Sequence, residues 1–171
     1  MEEFVVLVDQ NDQKLGLMEK QQAHIAGLLH RAFSVFVFNS KGELMIQQRA
    51  ASKYHSPTLW TNTCCSHPRD NETYEQAAHR RLQEEMGFDC DLEFKFSFIY
   101  KAHLDNNLTE HELDHVFIGT FDEEPQLNPD EVMAYRWFDL MDLKKDIEKN
   151  PQNYTAWFKI IFEHYVSYIE A

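Results

Sequence analysis

The stretch from Trp60 to Gly87, WTNTCCSHPRDNETYEQAAHRRLQEEMG, constrains this chain more than any other. It opens as an extended run from Trp60 to Cys65, turns at Pro68-Arg69-Asp70-Asn71, and continues as a helix that stops at Gly87. Asn71 or Thr73 can cap that helix, and Ala77, Ala78 and Leu82 give it a narrow apolar stripe. Gly87 suits the left-handed residue after the last helical turn. Cys64 and Cys65 point to opposite faces of an extended run, so at most one thiol looks into any site there. A thiol, His67 two residues on, Arg80, Arg81 and the adjacent Glu84 and Glu85 are more chemistry than packing needs.

The remainder reads as strands before and after this helix, then helices at the C-terminal end. Phe4 to Asp9 reads as a buried strand and Gln10 to Lys14 as a turn. Leu15 to Leu29 is open between strand and helix, with a helical turn at Glu19 to His24. Arg31 to Phe38, the turn Asn39-Ser40-Lys41-Gly42 and Glu43 to Arg49 read as a hairpin. Ala50 to Thr58 is a polar loop carrying Lys53 and His55. Glu93 to Tyr100 alternates, with Phe94, Phe96, Phe98 and Tyr100 on one face, and Thr109 to Phe121 returns as a further strand. A loop at Pro125 to Asp130 and a strand at Ala134 to Phe138 follow. Asp139 to Lys149 reads as helix, Pro151 interrupts, and Thr155 caps a last helix with Phe158, Ile161, Phe162, Tyr165 and Ile169 on one side. The order implies a single α+β domain over residues 1–171, a mixed sheet flanked by helices.

The formal charge of −13 and the lack of a basic stripe argue against a nucleic-acid partner. Three cysteines, two of them adjacent, make a poor disulfide framework and point to a reducing compartment. With no long apolar run, and Met1-Glu2-Glu3 a poor start for a secretory leader, the expectation is a cytoplasmic protein without a membrane partner.

Glu110 and Glu112 lie two apart in a predicted strand and so share a face. With His24, His30 and His67 they make a mixed nitrogen and oxygen donor set suited to Mn, Fe, Zn or Mg. A solvated acidic strand face is the plain alternative. His111-Glu112-Leu113-Asp114-His115 also fits H-E-x-x-H, but that metalloprotease chemistry needs a helix, and Val116 to Phe121 reads as strand. Cys65 is either an inert buried thiol or, near cations, a proton carrier. Arg80–Glu84 and Arg81–Glu85 are i,i+4 pairs that serve equally as surface ion pairs or as a grip on a metal–diphosphate, to which Lys20, Arg49 and Lys53 can add charge.

Taken together these residues resemble a known pattern. Ser66-x5-Glu72-x7-Arg80-Arg81-Leu82-x-Glu84-Glu85-x-Gly87-Phe88 is similar to the Nudix box, with Ser66 in place of its first glycine and Arg81 in place of a metal-binding glutamate. Those departures suit one branch, because Trp60-Thr61-Asn62-Thr63-Cys64-Cys65-Ser66-His67-Pro68 resembles the W-T-N-x-x-C-x-H-P segment of type 1 isopentenyl-diphosphate delta-isomerases. The likeness runs from Glu19-Lys20 to Trp157, with the interval from His24 to His30 one residue shorter than in some members. It implies a Nudix-like fold and interconversion of isopentenyl and dimethylallyl diphosphate by protonation and deprotonation, in isoprenoid biosynthesis. It implies metal ligands His24, His30, His67, Glu110 and Glu112, binding Mn2+, Zn2+ or Mg2+. It makes Cys65 and Glu112 the two proton carriers, assisted by Tyr100, with Trp157 facing the cation. It assigns a substrate-borne Mg2+ to Glu85 and the Cys65 carbonyl, and the diphosphate to Lys20, Arg49, Lys53 and Arg81. A monomer or weak homodimer is expected. A Nudix pyrophosphohydrolase acting on a nucleoside diphosphate derivative is the alternative, weakened by Arg81.

Overall fold

The computed structural model describes residues 3–170, so the leader reading at Met1 and Glu2 lies outside the described residues. Nine strands and four helices occur among them: β1 Phe4–Val8, β2 Lys14–Glu19, α1 Lys20–Ala26, β3 His30–Phe38, β4 Leu44–Arg49, β5 Trp60–Thr61, β6 Cys64–Ser66, α2 Tyr74–Met86, β7 Leu92–His103, β8 Thr109–Thr120, β9 Val132–Phe138, α3 Leu140–Lys149 and α4 Ala156–Glu170. The open segment at 15–29 resolves into β2 and α1. Among the described residues no helix is long and apolar enough to cross a membrane.

The sheet is mixed and is built outward from β3, whose sequence HRAFSVFVF is buried almost throughout, as a strand covered on both faces must be. It runs parallel to β8 from His30↔Glu112 to Phe38↔Thr120, and β7 closes the far edge of β8 antiparallel. On its other edge β3 meets β1 at Leu7↔His30, β6 at residues 33–35 and β4 at Phe38↔Leu44. β9 lies antiparallel along β4.

The expected hairpin of β3 and β4 closes at the single pair Phe38↔Leu44 and then opens. Residues 60–66 enter the gap, β5 pairing with β4 and β6 with β3, so the extended run expected from Trp60 to Cys65 is two short strands. Polar side chains replace the missing ladder. The hydroxyl of Thr63 accepts from Val37 N at 2.9 Å and donates to Met45 O at 2.6 Å, joining the parted strands. Asn62 Nδ2 donates to Val35 O and Cys64 O at 3.1 and 2.9 Å. All of Thr61, Asn62 and Thr63 are fully buried, where an unmet backbone group would cost stability.

A second correction concerns β7. Phe96, Phe98 and Tyr100 share a face, but a bulge between Phe94 and Phe96 inserts one residue and turns Phe94 to the opposite side, against His115 and Phe117. The buried reading of β1 also fails at its first residue, since Phe4 is 48% exposed.

Two apolar layers sandwich the sheet. Ala77, Ala78, Leu82 and Met86 of α2 pack on Phe33, Val35, Cys64 and Phe117. On the other face Trp157, Phe158, Ile161 and Phe162 of α4 pack with Phe36, Ile46, Phe98 and Val116. Thr73, not Asn71, caps α2, in a reciprocal box with Gln76. Gly87 ends it at φ +70°, where an added Cβ would lie 2.3 Å from Gln126 O. Asp139 caps α3 through bonds from Met141 N and Asp142 N, and Thr155 accepts from Phe158 N to cap α4.

Candidate active site

Alternation along β8 sends Glu110, Glu112 and Asp114 to the face covered by α4, and His111 and His115 to the other. His111 Nδ1 meets Gly27 O at 3.3 Å and His115 stacks on Tyr74. The H-E-x-x-H reading therefore fails, because its two imidazoles sit on a strand and are not aimed at the carboxylates. The parallel register sets His30 directly beside Glu112.

His24 and His30 are brought together across their short interval by the end of α1. Gly27 adopts φ +67° and returns its N–H to Ala23 O, reversing the chain into β3. His67 follows β6, two residues beyond Cys65 on the same face. The three imidazoles converge on one oxygen: Nε2 of His67, His30 and His24 lie 2.7, 3.0 and 3.9 Å from Glu112 Oε2. Nδ1 of His30 is 2.8 Å from Leu28 O, a carbonyl that can only accept, so that nitrogen carries a proton and the ring is fixed with Nε2 towards Glu112. His24 Nε2 is fully buried with no hydrogen-bond partner, as a nitrogen meant for a metal would be. His24, His30, His67 and Glu112 thus form a group that can hold a divalent metal.

Glu110 stands apart from those four. It groups with His24 and His55, whose Nε2 lies 3.6 Å from Glu110 Oε2. His55 is 5% exposed and packs edge-on to His24 and Trp157. Sequence reasoning left it in a polar loop, where no periodicity marks a residue as inward-facing.

The hydroxyl of Tyr100 lies 2.5 Å from both Glu110 Oε1 and Glu112 Oε1, joining the carboxylates on the β7 side. Burial and repulsion by Glu112 push Glu110 well above the ordinary carboxylate range. Burial would raise Glu112 too, but His67, His24 and His30 outweigh it and hold this carboxyl well below that range. The two neighbouring acids are thus pushed in opposite directions, Glu110 towards its protonated form and Glu112 towards its ionised form.

Cys65 faces the same pocket as Glu112, whereas Cys64 lies in the layer beneath α2. Burial pushes the Cys65 thiol up, against the pull of Arg49, so it holds its proton. Lys20, Arg49, Lys53, Arg81 and Glu85 line this pocket, with Trp157. Lys20 pairs with Glu3 at 2.8 Å, Lys53 with Glu131 at 2.6 Å, and Arg81 with Glu85 at 2.8 Å. Arg49 instead donates to the carbonyls of Ser56 and His55 and lies over the Trp157 ring, 5.2 Å from its centroid. Glu3, Glu131 and Tyr54 also line the pocket and escaped the sequence reading. Their partners are distant in the chain, so only the folded structure pairs them. Beside the pocket, Arg80 bonds both Glu72 and Glu84, fixing the turn before α2 to the helix.

The chain matches the model of the NUDIX domain over residues 28–158. It is 58% identical over 161 residues to isopentenyl-diphosphate Delta-isomerase 2 of Photorhabdus laumondii, covering 94% of this chain and 91% of the relative. It is 51% identical to isopentenyl-diphosphate Delta-isomerase of Pectobacterium atrosepticum, covering 98% of this chain and 93% of that one. Among solved structures, a protein of Deinococcus radiodurans superposes with a TM-score of 0.78 at 20% identity, covering 95% of this chain and 99% of the other. A MutT protein from Methanosarcina mazei gives a TM-score of 0.67 at 16% identity, covering 84% and 96%.

Proposed function

The chain belongs to the NUDIX family and, within it, to the isopentenyl-diphosphate Delta-isomerases, and from that membership we infer how its site interconverts isopentenyl and dimethylallyl diphosphate. The observation that carries the reading is a protonated thiol, Cys65, and an ionised carboxylate, Glu112, presented into one pocket lined by cations and an indole. The reaction adds a proton at the terminal methylene carbon and removes one from the carbon two bonds away, with positive charge on the carbon between. Two proton carriers are required, and Cys65 and Glu112 exchange roles between the forward and reverse directions.

Tyr100 orients Glu112 by donating to it, and burial pushes Glu110 beside it towards the neutral form, which limits the negative charge in the pocket. Trp157 offers a π surface to the cationic carbon, an interaction of about 2 kcal/mol when desolvated. Aromatic walls keep out the water that would trap such a cation. His24, His30, His67 and Glu112, with Glu110 adjoining, would hold Mn2+, Zn2+ or Mg2+, which when bound would lower the proton affinity of Glu112. Lys20, Arg49, Lys53 and Arg81 grip the diphosphate, whose own Mg2+ would be held by Glu85 and the Cys65 carbonyl. Arg81 replaces a carboxylate that a pyrophosphohydrolase would use for metal, so the diphosphate is gripped instead of cleaved. The reaction of a small-molecule diphosphate needs neither nucleic acid nor membrane, and the reading is of a cytoplasmic enzyme active as a monomer or weak homodimer.

Incubation with isopentenyl diphosphate and Mg2+ in heavy water tests this. Deuterium should enter dimethylallyl diphosphate, and Cys65→Ala should abolish that while leaving a folded protein. Undiminished turnover by the variant would remove Cys65 from the mechanism, and phosphate release without isomerisation would favour the hydrolase.

A further inference from the structure

One imidazole of this pocket, His55, takes no part in the proton transfers. It comes from the loop between β4 and β5, and the structure holds that loop so that the ring points inward. Arg49 donates to the carbonyls of His55 and Ser56, each at 3.2 Å, and Ser56 N donates to Asp105 Oδ1 at 3.0 Å. Ser56 adopts φ +49°, a left-handed backbone that residues other than glycine keep only where their surroundings enforce it. The resulting imidazole is 5% exposed, with Nδ1 3.2 Å from Ser56 Oγ and Nε2 3.6 Å from Glu110 Oε2.

A separation of 3.6 Å is too long for a hydrogen bond. It suits two ligands of one ion, since donors about 2.1 Å from a metal can stand up to about 4.2 Å apart. His24 completes the set, so that His24, His55 and Glu110 bring one donor atom each into the same small space. His24 Nδ1 is taken by the Tyr54 hydroxyl, and its Nε2, fully buried and without a hydrogen-bond partner among the described residues, is the nitrogen left to bind. That nitrogen also lies 3.9 Å from Glu112 Oε2, but its single lone pair serves one ion at a time. Four imidazoles and two carboxylates thus divide into two equal sets: His30, His67 and Glu112, and His24, His55 and Glu110. Tyr100 marks the division, because it takes Oε1 of each glutamate and leaves each Oε2 to its own imidazoles. Two histidines and a carboxylate, with open positions for water, suffice to hold a divalent ion.

We propose that the pocket has a second metal position, formed by His24, His55 and Glu110, beside the one at His30, His67 and Glu112. This rests on the metal reading of the first position given above. A lone ion at the first position draws on His24 as well, and a second ion takes His24 over. The two therefore bind in order, the second more weakly. Donors rich in imidazole suit Mn2+, Fe2+, Co2+ or Zn2+ better than Mg2+ or Ca2+.

The test counts the Mn2+ bound by the full chain after stripping with a chelator, from the electron paramagnetic resonance of the free ion during titration. Diphosphate and Mg2+ are left out, so an ion carried by the substrate is not counted. Wild type should bind two ions per chain, one after the other. Losing even an outer-shell partner of a ligand costs about tenfold or more in metal affinity, so His55→Phe, which keeps a packed ring, should weaken the second ion at least that much and leave the first unchanged. Wild type that binds a single ion overturns the proposal. So does a second ion that His55→Phe binds as tightly as wild type, since it would belong to surface carboxylates. If His55→Phe does not fold, Glu110→Gln, of nearly the same shape as the native side chain, must lose the second ion and keep the first for the proposal to stand. A wild-type chain that binds no ion would sink the metal reading of the first position, and this proposal with it.

Discussion

Replacing Thr63 by Val tests the joint that lets the reactive segment enter the sheet. The two side chains have nearly the same shape, so little packing changes, but the hydroxyl is lost. Two buried backbone groups are stranded: Val37 N–H, which donates to Thr63 Oγ1 at 2.9 Å, and Met45 C=O, which accepts from it at 2.6 Å. Thr63 is fully buried, so no water replaces the hydroxyl. Each stranded group costs about 1–3 kcal/mol, which makes the variant about 3 kcal/mol less stable. With a denaturant slope of about 2 kcal/mol per molar, the urea midpoint should fall by about 1.5 M. Thr63→Ser keeps the hydroxyl and gives up one methyl group, so it should cost about 1 kcal/mol. Equilibrium unfolding in urea, followed by tryptophan fluorescence, reads all three proteins. If Thr63→Val lost under about 1 kcal/mol, or Thr63→Ser lost as much as Thr63→Val, the hydroxyl bridge would not be what joins β3 and β4.

Tyr100→Phe should lower kcat by about 30-fold with little change in KM, since the lost donor serves Glu112 and not the diphosphate cations. A rise in KM alone would contradict the assignment. In metal-free protein, burial depresses His67 to about 4 from an ordinary 6.5 despite Glu112 nearby. The stability it contributes is complete above 6.5 and is lost as pH falls towards 4. Urea unfolding at pH 5 should show about 2 kcal/mol less stability than at pH 7 from this group, and His67→Asn should remove that part of the difference. Equal pH dependence in the two proteins would refute it. Gly87→Ala should lower the melting temperature by about 6 °C, because alanine dislikes this left-handed backbone and its Cβ would collide with Gln126 O. An unchanged melting curve would mean that the loop at 126 simply moves aside.

Local rules read much of this fold directly. The cap and stop of α2, the caps of α3 and α4, and the apolar side of α4 follow from residues a few positions apart, and the structure keeps them. What local rules miss lies where one segment answers another. The alternation of Phe94 with Phe96 is clean in the sequence, yet β8 imposes a bulge that separates them. The turn at Asn39 to Gly42 forms as expected, but nothing within β3 and β4 reveals that residues 60–66 will part them. Asn62 and Thr63 look like ordinary polar strand residues until their side chains are seen bonding to Val35, Val37 and Met45.

The site divides along the same line. Glu110 and Glu112 were legible as a pair because strand geometry alone puts residues i and i+2 on one face. Their union with histidines far away in the chain depends on register. His30 stands opposite Glu112 and Ser34 opposite both Cys65 and Val116, so thiol, imidazole and carboxylates face α4 together. A slip of one residue between β3 and β8 would put Leu113 beside His30 and turn both glutamates towards α2. The register is held by apolar residues on both faces: Val116 lies in the α4 layer and Phe117 in the α2 layer, and exchanging their sides would disturb both. Hydrophobic burial at 116 and 117 therefore fixes where the carboxylates at 110 and 112 point. The core thereby positions the proton-transfer chemistry as well as stabilising the fold.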